Sequence, residues 1–419
     1  MIHPGEISLG PGLPAGQSAM NPPQKQSTRI VSVDILRGLT MLVMIFVNDL
    51  AEVKGLPWWT YHMPGHANGM TYVDVVFPAF LFILGMAIPL AVRKRIELGD
   101  SQWGLWSHVV LRSFSLVVLG LLLANASLVD PGLTGIPRGL WACLGLIGAI
   151  LYWNVYPRQG GPQRLYRGLK YGGLCLLVLM FALFRRRAAD GSAVWLDFRY
   201  WEILGLIGRA YLAACILYIP LRKKPWAPAA ILAGLTMASI AARLGWLPFL
   251  RHIPYAIWPF DSGELPSIVM AGIVCSTIFL ESGIARTVRR KLIWGAGFTV
   301  LLVAAGAICT PLGISKNRAT PTWCLYSAAI GTVLFMALYW IADVKGIKRW
   351  AAFVKPAGSN TLLTYLLPDL FYYSAGIAYL YLPAQLNAGW PGAVRSFVFT
   401  GLILAAAAVL TRWKVRLQL

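Results

Sequence analysis

Charged residues are scarce in this chain, at 13% of 419 residues, against about a quarter in a soluble domain. Hydrophobic residues make up 58%. Acidic residues are the scarcest charges, because 16 Asp and Glu stand against 37 Lys and Arg, which gives a formal net charge of +21. This composition excludes a large cytosolic enzyme and is typical of a polytopic membrane protein.

Several familiar functional motifs are also absent. The sequence has no Walker loop, no GxSxG and no GxGxxG, so nucleotide hydrolysis and ordinary serine-hydrolase chemistry have no support. Its six cysteines stand singly in or beside apolar stretches, which favours neither a disulfide nor a metal site. The basic residues come in short bursts between apolar runs, whereas a nucleic-acid binder clusters them on one element. We therefore expect no nucleic-acid partner.

Twelve apolar stretches are long enough, at about 17 to 25 residues, to cross a hydrocarbon core about 30 Å thick. They predict an all-α, polytopic integral membrane protein with about 12 transmembrane helices, forming a single domain over residues 29–419. Residues 1–28 are rich in Pro, Gly and Gln, which indicates a disordered cytoplasmic tail and no secretory signal. The stretches are 32–50, 71–92, 107–125, 137–154, 169–185, 201–219, 226–243, 265–285, 292–310, 321–341, 358–378 and 394–411.

Loop charge predicts the orientation, because cytoplasmic loops of membrane proteins collect Lys and Arg. With the N-terminus inside, 23 of the 37 basic residues lie on the cytoplasmic side and 11 on the outer side. We therefore expect both termini in the cytoplasm, although the run Arg185, Arg186 and Arg187 falls on the outer side. An ionisable side chain within a span costs about 2.5 to 3.5 kcal/mol, so each one is a functional candidate. These residues are Asp34, Arg37, Asp74, Arg112, Arg209, Glu281 and Asp369. The alternative is a structural role, either by pairing of opposite charges such as Asp34 and Arg37 or by snorkelling near the end of a span.

Polar residues concentrate around the outer loop between the first two stretches. His62 and His66 are spaced for one helix face, but Pro64 and Gly65 between them disfavour a helix and a zinc pair. One imidazole beside a carboxylate would suit general-base chemistry, with an Asn near by to donate to an oxyanion. The alternative is a set of solvated loop polars beside an aromatic interface belt. The polar residues are Asn48, Asp49, His62, His66, Asn68 and Asp74. The outer-side aromatic residues Trp58, Trp59, Tyr61 and Trp323 could stack on a sugar ring, although anchoring at the membrane interface is the more common role.

The segments SVDILRGLTMLVMIFVN (32–48) and NGMTYVDVVFPAFLFILGMAI (68–88) resemble the heparan-alpha-glucosaminide N-acetyltransferase family and its bacterial relatives, a branch of the transmembrane acyltransferases. Further blocks follow in the family's order, so the resemblance covers most of the chain. They are RSFSLVVLGLLLANAS (112–127), ILGLIGRAYL (203–212), LPSIVMAGI (265–273), GISKNRATPTW (313–323), ADVKGIKRW (342–350) and KPAGSNTLLTYL (355–366).

The resemblance implies a catalytic histidine on the outer loop, after an Asn that ends the first core span and before an NG…D..FP motif. Here the Asn is Asn48 and the Asp is Asp74. His62 is the favoured match for the histidine, and His66 is its rival. His62 lies six residues before Asn68 where the family has four, which leaves the choice open.

The resemblance also implies an acetyl-CoA-dependent acyltransferase of the bacterial inner membrane. Acetyl-CoA is its co-substrate, no metal takes part, and a saccharide amine or hydroxyl on the periplasmic side is the acceptor. His62 would act as general base or as transient acyl carrier, and a homodimer is the expected assembly. We expect the anionic donor near five polar residues: Arg37, Arg112, Arg209, Lys316 and Asn360.

Two departures from the family pattern qualify this interpretation. Residues 137–187 read as an inserted helical hairpin added to ten core spans, and the long luminal domain of the lysosomal enzyme has no counterpart. The acceptor is therefore not expected to be heparan sulfate itself. The alternative function is a transporter or flippase of a small polar or lipid-linked solute, against which the sequence shows no inverted repeat.

Overall fold

The chain is described by a computed structural model that covers residues 30–253, 259–279, 285–380 and 382–419, without the side chain of Arg251. The expected tail 1–28 and Glu281 lie outside the described residues. The α-helices in these ranges are α1 (Val31–Leu50), α2 (Val73–Glu97), α3 (Gln102–Ala126), α4 (Pro131–Thr134), α5 (Arg138–Trp153), α6 (Gln163–Leu183), α7 (Glu202–Leu221), α8 (Ala227–Arg243), α9 (Glu264–Phe279), α10 (Val288–Cys309), α11 (Pro321–Leu338), α12 (Lys355–Ser359), α13 (Thr361–Ile377) and α14 (Gly389–Arg412).

Shorter elements connect these helices. Strands β1 (Arg186–Arg187) and β2 (Ala193–Val194) pair antiparallel as a small ribbon. A π-helical segment, Tyr339–Val344, continues α11. The 3-10 helices are Trp58–Thr60, Pro248–His252, Thr310–Leu312, Arg349–Val354 and Ala384–Asn387.

Each of the twelve apolar stretches coincides with one long helix, which confirms the all-α fold. Within the described ranges, eight helices are long and apolar enough to cross a membrane, so the chain is a multi-pass membrane protein. The remaining four, α5, α8, α9 and α13, have 16 or 17 residues each. The number of twelve crossings stays a prediction.

Some helices extend beyond their apolar stretch at the basic end. Helix α2 continues to Glu97, past the predicted boundary at residue 92, and α6 begins at Gln163 instead of 169. Both extensions carry basic residues, whose long apolar stems follow the helix surface while the charges reach water. Hydropathy marks where the apolar side chains end, whereas the helical backbone continues.

Helix α9 lies at the centre of the helical bundle. Every residue from Leu265 to Phe279 is buried, as expected for a helix that is apolar on all sides. Helices α2 and α9 cross at Gly85 and Gly272, where a Cβ added to Gly272 would lie 2.0 Å from the Phe82 carbonyl oxygen. Small residues let two membrane helices approach this closely.

Contacts between helices show that the chain runs back and forth. Asp49 near the end of α1 pairs with Arg395 near the start of α14, at 2.9 Å. The indole of Trp141 in α5 donates to the Met180 carbonyl in α6 at 2.7 Å.

We call the two ends of the bundle the His62 end and the opposite end. The His62 end comprises segments 51–72, 127–137, 184–201, 244–253, 259–263, 310–320, 378–380 and 382–388.

The basic run at residues 185–187 lies at the His62 end, on the β1–β2 ribbon. Arg187 binds the Asp130 carboxylate at 2.9 Å, and Arg186 lies 3.6 Å from the Asp197 carboxylate. A hydrogen bond from Arg199 lowers the pKa of Asp197 to about 2. Two of the three charges that argued against the orientation therefore have carboxylate partners.

At the opposite end, residues after α14 fold back across two helix termini. The Gln418 amide donates to the Trp153 carbonyl at 3.0 Å, and the Val155 amide donates to the Arg416 carbonyl at 2.8 Å. The Leu417 amide donates to the Asn360 side-chain oxygen at 3.1 Å. This segment joins the end of α5 to the start of α13.

Candidate active site

The loop between α1 and α2 is irregular around its two histidines, apart from the short helix Trp58–Thr60. The expectation that Pro64 and Gly65 interrupt any helix there is confirmed. The Tyr61 hydroxyl fixes the first half of the loop, because it donates to the Val53 carbonyl at 2.6 Å and accepts from the Leu56 amide at 3.1 Å. The tyrosine anchor sets the position of the next residue, His62.

His62 is hydrogen-bonded to Asp74, which joins the loop to the first turn of α2. Its Nδ1 lies 2.7 Å from Asp74 Oδ1, and the exposed fractions of the two side chains are 39% and 1%. A proton on Nδ1 gives this contact a donor, which leaves the in-plane lone pair on Nε2. The site thus presents a half-exposed imidazole oriented by a buried carboxylate.

Backbone donors and the helix N-terminus stabilise the Asp74 carboxylate. Its Oδ2 accepts from the Thr71 amide at 3.0 Å and from the Met63 amide at 3.2 Å. Asp74 also lies in the first turn of α2, where the helix dipole favours an anion. The Thr71-x-x-Asp74 spacing is the signal that sequence reasoning missed, because it matches the return contact of a capping box.

A second loop, 313–320, packs against the histidine loop. The Gly69 amide donates to the Ile314 carbonyl at 2.9 Å, and the Ile314 amide donates to Asn68 Oδ1 at 2.6 Å. These bonds bring Lys316 Nζ to 3.2 Å from Nε2 and 3.3 Å from Nδ1 of His62. Burial lowers the pKa of the Lys316 ammonium below its usual range, and the Asp74 carboxylate offsets part of this shift.

Asn48 and His66 make no contact with this pair. Asn48 is exposed in the last turn of α1, and His66 is exposed in the loop. Neither side chain has a hydrogen bond within the described part of the chain. The geometry therefore favours His62 over His66, whereas the expected role of Asn48 stays a prediction.

The three arginines expected on the donor path have different partners. Arg37 lies 3.4 Å from Asp34 and donates to the Gly358 carbonyl at 3.2 Å. Arg112 lies over the Tyr211 ring, 5.0 Å from its centroid, in a groove that Arg95 and His108 also line. Arg209 is buried in α7 and binds Asp261 at 2.6 Å. Their role toward a donor stays a prediction.

Two other expected contacts have structural partners in the fold. The Asn360 amide donates to the Thr411 hydroxyl at 3.0 Å and to the Val415 carbonyl at 2.8 Å. The expectation that Trp323 offers a face to a sugar is wrong, because this side chain is 1% exposed and its indole donates to the Asp74 carbonyl. Trp58 and Trp59 are exposed.

Metal ligands do not gather anywhere in the described ranges, where no three His, Cys, Asp or Glu side chains are placed to hold an ion. The chemical capacity of the candidate site lies in its acid–base groups. A buried carboxylate, a half-exposed imidazole and a lysine are arranged to take up and release a proton at Nε2.

The fold and the site define a multi-pass membrane protein with an oriented histidine at one end of its helical bundle. Residues 29–246 match the model of a family described as a domain of unknown function (DUF5009). That match covers more than half of the chain, and the chain belongs to this family.

Two named relatives confirm the family resemblance found in the sequence. The human heparan-alpha-glucosaminide N-acetyltransferase is 25% identical over 382 residues, which cover 82% of this chain and 53% of the human protein. The mouse protein of the same name is 35% identical over 158 residues, which cover 38% of this chain and 20% of the mouse protein. The chain thus spans about half the length of its human relative.

Proposed function

We propose that this protein is a transmembrane acyltransferase that moves an acetyl group from acetyl-CoA to an amine or hydroxyl of a saccharide. The observation that carries the proposal is the 2.7 Å contact between His62 and the buried Asp74. Acyl transfer needs a base that takes a proton from the acceptor, and an imidazole with a fixed tautomer meets that need. The similarity to two proteins named as N-acetyltransferases points to the same chemistry.

His62 supports two routes for the acetyl group. In direct transfer, the nitrogen or oxygen of the acceptor attacks the thioester carbon while Nε2 takes the acceptor's proton. The thiolate then leaves and is reprotonated by the imidazolium. In the two-step route, Nε2 itself attacks the thioester carbon, and the carbon–sulfur bond breaks to release the thiolate. The acceptor then attacks the acetyl carbon, the bond to Nε2 breaks, and the acceptor's proton passes to the released Nε2 and on to the thiolate. Asp74 has the same task in both, because it holds Nδ1 and stabilises the cationic ring.

The donor and the acceptor would reach the site from opposite sides of the membrane. In our proposal the His62 end faces the periplasm of a bacterial inner membrane, and both termini are cytoplasmic. The opposite end carries most of the basic residues, which attract the phosphates of acetyl-CoA. Arg37 and Arg112 are the proposed donor contacts on that side, and a homodimer is the proposed assembly.

The purified full-length protein tests this function. We expect acetyl-CoA to raise its thermal unfolding temperature, because a ligand that binds the folded state stabilises it. We also expect CoA thiol release that depends on glucosamine or glucose. His62→Ala should abolish release but keep the stabilisation by acetyl-CoA, since the imidazole is exposed and its loss leaves the bundle intact.

His66→Ala is the matched control, because it removes the neighbouring exposed imidazole from the same loop. Its turnover should stay within about threefold of the wild type. Loss of activity in His66→Ala with full activity in His62→Ala would transfer the role to His66. A wild-type protein that neither binds acetyl-CoA nor releases CoA would contradict the proposed function and favour the transporter alternative.

A further inference from the structure

Lys316 lies against the face of the His62 ring. Its Nζ is almost equidistant from the two ring nitrogens, at 3.2 and 3.3 Å. An equidistant point in the ring plane would overlap Cε1, the carbon between the nitrogens, so Nζ must lie out of the plane. The in-plane lone pair of Nε2 therefore stays open to a substrate, with a cation directly beside it.

Hydrogen bonds fix the backbone on both sides of Lys316. Both backbone groups of Ile314, two residues earlier, are bonded to the histidine loop. After Lys316, the Thr320 side chain accepts from the Ser315 amide at 3.0 Å and caps α11. The two loops therefore fix the backbone positions from which the Lys316 and His62 side chains extend toward each other.

The charged groups around the imidazole divide into two sides. Asp74 in α2 lies at its Nδ1 edge, and Lys316 lies over its face. Arg318, on the same segment as Lys316, is exposed and directed at the Ala67 carbonyl at 3.4 Å. Among the described residues, Lys316 is thus the cation in contact with the ring, while Asp74 compensates the charge that the ring gains on taking a proton.

Acyl transfer from a thioester creates negative charge close to Nε2. The attacking atom bonds to the carbonyl carbon, and the π electrons of the carbonyl move to its oxygen as His62 takes the proton. When the oxyanion returns its electrons, the carbon–sulfur bond breaks, and the thiolate takes the proton from His62. A fixed cation or donor beside the oxyanion lowers the barrier, which typically raises the rate by a factor of about 10²–10³.

Building on the function proposed above, we propose that Lys316 is a catalytic residue whose ammonium stabilises the oxyanion of the thioester next to His62. Asn48, the oxyanion donor expected from the sequence, makes no contact with the imidazole, whereas Lys316 touches it. Lys316 would then act in the reaction step itself, beyond the donor binding expected from the sequence.

The assignment sets a pH dependence. A role for the ammonium requires Lys316 to be protonated, so activity falls as the pH rises through its pKa. Burial lowers that pKa below the usual lysine range. The loss on the basic side should therefore begin at a lower pH than for an ordinary lysine. Arginine stays charged, so Lys316→Arg should move the loss of activity on the basic side to higher pH.

The test compares Lys316→Met, Lys316→Arg and the control Arg318→Met, each purified at full length with its thermal unfolding checked. With acetyl-CoA and whichever of glucosamine or glucose supports turnover, we expect Lys316→Met to lower kcat by about 10²–10³-fold. The KM for acetyl-CoA should change little. Lys316→Arg should recover part of the rate and lose activity only at a higher pH than the wild type. Arg318→Met should change kcat by at most about threefold.

The results separate this assignment from the proposed function. If the wild type turns over and Lys316→Met keeps its kcat and pH profile, the assignment fails and the function stands. A raised KM for acetyl-CoA with an unchanged kcat also overturns it, because Lys316 then only binds the donor. If the wild type shows no turnover, both fail together.

Discussion

At the scale of single residues, one hydrogen bond determines which nitrogen of His62 is available for chemistry. Asp74 Oδ1 faces Nδ1, while Oδ2 is committed to the backbone amides of Thr71 and Met63. Each carboxylate oxygen thus has a separate task. Replacing one Asp74 oxygen with an NH₂ group therefore has a predictable effect on the hydrogen bond to His62.

Asp74→Asn should impair catalysis without breaking the site. The two backbone donors require an oxygen at the Oδ2 position, so the NH₂ group must face Nδ1. Nδ1 then becomes the acceptor, the ring proton moves to Nε2, and the lone pair needed for proton uptake is lost. We expect kcat to fall by about 10²–10⁴-fold, measured as CoA release, with an almost unchanged KM for acetyl-CoA.

Asp130→Asn provides the comparison, since Asp130 pairs with Arg187 on the ribbon outside the site. It should retain wild-type kcat. A fully active Asp74→Asn enzyme would show that the orientation of the ring does not limit turnover.

Part of this site could be predicted from the sequence. His62, Asp74 and Lys316 are all candidate site residues in the sequence, because ionisable groups are rare in this chain. Asp74 and Lys316 fall within family blocks, and His62 lies in the loop between two of them. The contact between Lys316 and His62 could not be predicted, because 254 residues separate them and only tertiary packing joins their loops. The sequence suggests a sugar-stacking or an interface role for Trp323, and neither fits its burial, because composition does not distinguish a buried indole from an exposed one.

At the scale of helices, glycines set the closest approaches in the bundle. Gly85 and Gly272 join α2 to α9, and Gly120 and Gly205 join α3 to α7 in the same way. In lipid, association of helices depends on close packing, since apolar surfaces gain little by leaving an apolar solvent. Helix α2 carries Asp74, so its packing on α9 also bears on the site.

Gly272→Ala should destabilise the protein, whereas Gly234→Ala in α8 should not. A Cβ at Gly272 would lie 2.0 Å from a carbonyl oxygen of α2, while one at Gly234 meets nothing within 4 Å. Overpacking of this kind costs about 1–3 kcal/mol, and Gly→Ala in an open helix gains about 0.5–1 kcal/mol. Thermal unfolding in detergent should therefore shift in opposite directions for the two variants.

Equal shifts for the two variants would contradict the close packing of α2 on α9. A lowered unfolding temperature should also be accompanied by lower activity in Gly272→Ala, because the displaced α2 moves Asp74.

At the scale of the whole molecule, the two ends of the bundle have different compositions. The histidine loop and its partner loop 313–320 lie at one end. The other end collects the extended basic termini of α2 and α6. The asymmetry follows the same charge distribution from which the orientation is predicted, so the orientation stays a prediction. Arg186 and Arg187, at the His62 end, are paired with carboxylates.

Cysteine labelling tests this orientation. Gln159 and Ala189 are exposed residues on either side of α6, and Cys175 is the exposed native cysteine. In a Cys175→Ser background, we expect an impermeant maleimide to label Ala189→Cys in intact spheroplasts. Gln159→Cys should be labelled only after the membrane is opened. Labelling of both from outside would show that α6 does not cross, and the reverse pattern would invert the topology.

The positions of all twelve long helices could be predicted from the sequence, because apolar runs of this length have few other stable forms in a bilayer. The neighbours of each helix could not. Helix α9 and the part of α10 after Lys291 are both apolar, yet α9 is buried from Leu265 to Phe279, whereas α10 has Val300, Leu301 and Ile308 exposed. Apolar residues are equally stable against lipid and against protein, so hydropathy does not identify the central helix.

The segment after α14 has a consequence for the order of assembly. A chain is synthesised from its N-terminus, and its early parts fold first. The Arg416 amide, however, donates to the side chain of Asn154, which precedes it by 262 residues. The bonds that this segment makes to the end of α5 and the start of α13 therefore form only after every intervening helix has been synthesised, when translation has passed residues 416–418.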